Sequence, residues 1–103
     1  MTSRRNKLET MLQASPDDQT LRYMLAMELD KESQHSRSLE LFQSLMQDPT
    51  PYVPAFLMAG QLLARLQRND EARQTYLEGI QQAQRQNNEH AAGEMAGFLA
   101  NLE

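Results

Sequence analysis

The stretch YVPAFLMAGQLLARLQRNDEARQTYLEGIQQA, Tyr52 to Ala83, decides how this chain folds. Its first half carries Phe56, Gly60 and Leu63, and its second half Ala72, Tyr76, Gly79 and Ile80. Spacings of three and four place each set on one face of a helix. The polar run Gln67 to Asp70 between them reads as a turn. The stretch is therefore a helix, a tight turn and a second helix.

Working outward, the same order of bulky and small residues recurs 34 positions upstream. Leu25, Ala26 and Leu29 align with Ala59, Gly60 and Leu63, and Ser38 aligns with Ala72. Leu8, Phe42 and Tyr76 form one further series, Leu12, Met46 and Ile80 another, and Met11, Leu45 and Gly79 a third. The apolar patterns predict helices over 4–14, 19–32, 37–47, about 51–66, 71–85 and 88–102. Leu8, Met11 and Leu12 lie on one face of the first. Asp17-Asp18 is suited to cap the second, because a carboxylate accepts the free N–H groups of a first turn. Asp48-Pro49 ends the third, Thr50-Pro51 reads as the cap and first position of the fourth, and Pro54 falls within its first turn, where the missing N–H costs little. In the last helix Gly93 and Gly97, with Ala92 and Ala96, form a small-residue ridge suited to close packing. No stretch reads as a β-strand.

A period of 34 with two helices per period resembles the tetratricopeptide repeat. The resemblance implies an all-α superhelix of helix–turn–helix repeats, an α-solenoid of about six helices in one domain, 1–103. Its parts are a half repeat (4–14), two full repeats (17–49 and 51–84) and a capping helix (88–102). Small residues at Ala26/Gly60 and Ser38/Ala72 let paired helices approach closely, while Phe42 and Tyr76 fill the space between pairs. The second repeat matches best. In the first, Arg22 stands where the family has a bulky anchor, and the repeat is one residue short before Asp48-Pro49. In the last helix His90, Glu94 and Gly97 occupy the bulky, small and apolar positions. The order of residues also resembles that of small stand-alone bacterial repeat proteins.

Composition narrows the function. The 103 residues carry 23% charged and 40% hydrophobic side chains and a formal net charge of −4, which suits one folded domain. Arg4, Arg5 and Lys7 do not make the basic, aromatic-studded face that nucleic acid requires, so no nucleic-acid partner is expected. No run is apolar enough to span a membrane and no signal-peptide core is present, so a cytoplasmic location is expected. With no Cys there is neither a disulfide nor thiol chemistry. His90 and Glu94 are too few for a metal site, the serines have no His at a recognised motif spacing, and the glycines form no phosphate loop. No enzyme activity, cofactor or metal is expected.

What remains is a surface. The resemblance implies that the first helix of each pair lines a concave groove that binds a protein or peptide. It places there Thr20, Tyr23, Met27 and Asp30, then Leu57, Met58, Gln61 and Arg65, then Asn88, Ala91 and Met95. Family members that grip a C-terminal carboxylate use Lys, Arg and Asn at positions held here by Tyr23, Met27, Met58, Gln61, Asn88 and Ala92, so no such clamp is expected. The groove reads instead as apolar and Met-rich, a surface for an apolar helical or extended segment. The alternative is a homo-oligomer that pairs the same groove or its end helices.

Overall fold

The structure, a computed structural model of the chain, describes residues 3–102. Six helices follow one another: α1 (Arg4–Ala14), α2 (Gln19–Lys31), α3 (His35–Met46), α4 (Val53–Arg65), α5 (Asn69–Arg85) and α6 (Glu89–Ala100). No strand occurs among the described residues. The expected all-α helical repeat is thus the fold observed. No helix among these residues is long and apolar enough to cross a membrane. Each helix packs on its neighbours in sequence, and α4 also meets α6. The molecule measures 42 × 29 × 18 Å.

Helix starts follow local chemistry. The Leu21 N–H donates to Asp18 Oδ1 at 2.9 Å, the cap expected from Asp17-Asp18. Helix α4 opens at Val53 behind Tyr52, not at Thr50-Pro51. The Tyr52 N–H donates to the Leu45 carbonyl at 3.1 Å, which holds the chain in a loop until that point. Pro54 lies in the first turn, as expected.

Three of the turns are copies of one another. Ser33, Gln67 and Asn87 have φ of 62°, 62° and 59°, in the left-handed region. The next N–H in each case reaches back across the turn: Gln34 to Leu29 O at 2.8 Å, Arg68 to Leu63 O at 2.9 Å, and Asn88 to Ala83 O at 2.7 Å. This closure satisfies carbonyls left open at the helix end. It also lets the following helix begin at once. Helices α3 and α5 therefore start at His35 and Asn69, two residues before their apolar patterns begin.

Within pairs the backbones meet at small residues. Ala26, Ser38 and Ala72 are fully buried, and Ser38 Oγ donates to the Ala26 carbonyl at 2.6 Å. Gly60 lies beneath the Tyr76 ring; a Cβ there would sit 2.6 Å from Tyr76 Cζ. A Cβ on Gly79 would sit 2.5 Å from the Phe56 Cβ and from Met95 Sδ. One core cluster runs through Ala26, Phe42, Phe56, Tyr76 and Met95, and a smaller one joins Leu8, Leu25 and Leu29, with Leu41 packed on both. Of the apolar residues on one face of α1, Leu8 is buried and Met11 is exposed.

Arg22 replaces a bulky anchor with an ion-pair network. Its guanidinium pairs with Asp48, beyond the end of α3, and donates to Ser44 Oγ at 3.3 Å and the Asp17 carbonyl at 3.3 Å. Gln19 Nε2 donates to Asp48 Oδ2 and to the Thr50 carbonyl, both at 2.9 Å. The hydrogen bonds from Arg22 and then from Gln19 hold the Asp48 carboxyl below its ordinary value, against the opposing effect of burial.

Helix α6 departs from the expected register. Helices α2 and α4 start 34 positions apart, but α4 and α6 start 36 apart. The cause is α5, which has 17 residues against 12 in α3 and hands over to α6 through the three-residue turn described above. Phe56, Gly60 and Leu63 therefore correspond to Ala92, Ala96 and Leu99, not to His90, Glu94 and Gly97. Ala92 is buried and Leu99 half-buried, while His90, Glu94 and Gly97 are exposed. Ala96, the counterpart of Gly60, is exposed as well. Of the expected small-residue ridge only Ala92 packs in the core; nothing outside their own helix lies within 4 Å of a Cβ built at Gly93 or Gly97.

Two measurements check this account. Gly60→Ala is expected to lose about 1–3 kcal/mol by overpacking against Tyr76, whereas Gly97→Ala gains up to about 1 kcal/mol from helix propensity. Urea unfolding monitored by circular dichroism ranks the two against the parent. For Asp48 the sign follows from its lowered value. Its contribution is present above the ordinary carboxylate value of about 3.9 and fades as the pH falls through the lower folded value. Asp48→Asn is expected to be less stable at about pH 7 and to show a smaller further loss between about pH 4 and pH 2. Thermal unfolding across that range reads the difference.

Candidate partner-binding surface

The side chains expected to form a groove come from α2, α4 and α6, the first helix of each successive unit. On α2, Met27 is 40% exposed and Thr20 is exposed. Tyr23 is half-buried, with its ring centroid 5.2 Å from Tyr52 and 6.0 Å from Phe42. Burial, and secondarily Tyr52, raises its pKa. On α4, Leu57, Met58 and Gln61 are half-buried and Arg65 is exposed. Arg65 Nη2 lies 2.6 Å from Asp30 Oδ2, so an ion pair bridges α4 to α2. His35 Nδ1 lies 3.3 Å from the other Asp30 oxygen. The two helices are thus tied together on this side by one ion pair.

On α6 the expected residues do not join that face. Met95 is fully buried, its sulfur over Gly79. Asn88 caps the helix by accepting the Ala91 N–H at 3.1 Å, and Ala91 packs against the core. The two-residue shift is the physical reason for Ala91 and Met95, which it turns inward, while Asn88 stays exposed at the helix start. The open side of α6 carries Gly93, Glu94, Gly97 and Asn101 instead, with Phe98 beside them.

Between α4 and α6 lies a crevice of about 340 Å³. Gln61, Ala64 and Arg65 form one wall; Phe98, Asn101 and Leu102 form the other; Tyr76 of α5 forms the floor. Phe98 is 41% exposed, and its ring stacks on Tyr76 with centroids 6.1 Å apart and planes at 16°. Burial raises the Tyr76 pKa. Sequence reasoning missed Ala64, Phe98, Asn101 and Leu102 and took Tyr76 for scaffold alone. Ala64 was within reach, since it stands 34 positions after Asp30. Phe98 and Asn101 were hidden by the shift of α6.

His90 Nε2 and Glu94 Oε1 are 3.3 Å apart on an exposed turn. No three His, Asp or Glu side chains among the described residues are placed to hold a metal ion. Asp18 is occupied as a helix cap.

No protein-family model matches the sequence, and no curated protein matches it. Solved structures do. A tetratricopeptide repeat domain protein from Salinibacter ruber, known from a solution structure, is 36% identical with a TM-score of 0.77, covering 82% of this chain and 86% of that one. A crystal structure of a tetratricopeptide repeat domain protein from the same organism is 35% identical with a TM-score of 0.73, covering 82% and 93%. A protein from Bordetella parapertussis is 27% identical with a TM-score of 0.80 over 97% of this chain and 87% of that one. With the helix pairs, their small-residue contacts and these similarities together, the chain belongs to the tetratricopeptide repeat family.

Proposed function

We propose that this chain is a non-enzymatic protein–protein interaction module, and that the face shared by α2, α4 and α6 takes a peptide or helical segment of its partner. The fold class itself suggests an interaction module. In this reading the half repeat 4–14, the repeats 17–49 and 51–84 and the helix 88–102 act as one stack that displays the face. The observation that carries it is that Met27 on α2 and Arg65 on α4 are exposed, with Leu57, Met58 and Gln61 half-buried beside Arg65 on α4. Met27 and Met58 keep an adaptable apolar character there, while Met95 belongs to the core. A second reading, self-association, draws on the outer side of α6, where Ala96 and Phe98 are exposed.

Met27→Glu places a charge on the face without touching the core. It is expected to abolish partner capture while the helical circular dichroism stays unchanged. Affinity capture with parent and variant, followed by identification of retained proteins, checks this; the same proteins retained by both would sink the reading. Sedimentation over a wide concentration range addresses self-association, and a constant monomer mass removes it.

A further inference from the structure

The first and last helices expose positions that the helices between them bury. Met11 of α1 stands in one series with Leu45 and Gly79. Leu45 is fully buried and Gly79 is buried between Phe56 and Met95, whereas Met11 is 52% exposed. Ala96 of α6 stands in series with Ala26 and Gly60; both of those are buried, and Ala96 is exposed. Within a pair, Phe56 of the first helix covers Gly79 of the second, and Tyr76 of the second covers Gly60 of the first. Among the described residues no helix does this for Met11 or for Ala96. Helix α6 is thus a first helix with its pairing face open, and α1 a second helix with its pairing face open. Their sizes match: Ala92 is small where Phe56 is large, and Met11 is large where Gly79 is small.

Their charges match too. In a helix–turn–helix pair the second helix starts beside the end of the first. Helix α4 ends with Arg65 and α5 starts with Asp70 and Glu71, each charge suited to its own helix end. Helix α1 has Arg4, Arg5 and Lys7 near its start and no acid in its first turn, an arrangement its own dipole opposes. Helix α6 has no basic residue in its last turn to compensate its carbonyl end. Arg4 and Arg5 are engaged by Glu28 and Glu32. Lys7 is exposed and makes no ion pair among the described residues. Pairing α6 with another α6 would instead bring Glu89 and Glu94 together with their own copies, with no Lys or Arg on either helix.

We propose that α1 of a second copy of this chain docks on the outer side of α6, completing across two copies a helix pair like α2–α3 and α4–α5. The proposal rests on the reading of self-association through α6 and names the surface that meets it. Met11 of the second copy packs beside Ala92, and Lys7 lies at the open carbonyls of the last turn of α6. Arg4, at the position of Ser38 and Ala72, runs to Glu28 of its own copy at 3.4 Å. The contact is head-to-tail, so each added copy offers a fresh face and association continues end to end.

The test is sedimentation equilibrium of the full chain, of Met11→Glu and of Ala96→Glu, each alone and the two variants mixed. Both positions are exposed, so the helical circular dichroism of each variant is expected to match the parent. The parent is expected to gain mass with concentration beyond that of a dimer, and each variant alone to stay monomeric. Mixing them restores association that stops at two copies, because the intact α6 of Met11→Glu meets the intact α1 of Ala96→Glu. Lys7→Gln is expected to weaken the parent's association about two- to fivefold at low salt. A mixture that stays monomeric while the parent associates overturns the head-to-tail contact and leaves self-association standing. Association retained by either variant alone does the same, and by Met11→Glu in particular it marks α6 meeting α6. Association unchanged in Lys7→Gln overturns the choice of α1 as the occupant. A parent of constant monomer mass up to millimolar concentration overturns this contact and the self-association reading together.

Discussion

The close approach of paired helices at Gly60 and Tyr76 sets the terms for the rest of the molecule. With hydrogen in place of a side chain, the α4 backbone comes near enough for the Tyr76 ring to lie across it. Once the ring lies there, its far face is available to α6, and Phe98 stacks on it. Gly79 repeats the arrangement one turn later, where it admits both Phe56 and the sulfur of Met95. In the first unit Ala26 and Ser38 do the same work, and the Ser38 hydroxyl is satisfied by the Ala26 carbonyl. Close packing of this kind leaves little room for a change of volume. Surface properties vary freely around it: an ion-pair network at Arg22, an open crevice at Ala64.

The pair architecture was readable because its signals are local and repeated. Period-3.6 stripes, Asp18 before α2 and the alternation of small and bulky residues at Gly60, Tyr76 and Gly79 each report on a contact made within a few residues or one repeat away. The turns were less visible. Ser33, Gln67 and Asn87 adopt a backbone conformation that glycine ordinarily marks, so nothing in the residue types announced where α3 and α5 begin. Arg22 showed as a departure, but its partner Asp48 lies 26 residues away and depends on the geometry of a loop.

The candidate surface was half readable for the same reason. On α2 and α4 a constant period carried positions from one helix to the next, and Met27, Gln61 and Arg65 do lie outward. On α6 the period changes by two, because α5 trades loop residues for helix, and positions transferred at 34 no longer correspond. A side chain two residues along a helix points about 200° round the axis, enough to exchange inside for outside. Met95 went from surface to core, and Asn101 from unremarked to lining a crevice.

A chain whose helices touch chiefly their sequence neighbours does not open uniformly. In such an array stability is passed between adjacent members, so the central helices are held from both sides and the terminal ones from one. Amide protection should therefore peak in α4 and α5 and decline toward α1 and α6. On that expectation the crevice has unlike walls, α4 the steadier and α6 the more readily opened. Whatever enters between them would be gripped against a fixed surface by a moving one, and its residence would tighten the end of the stack.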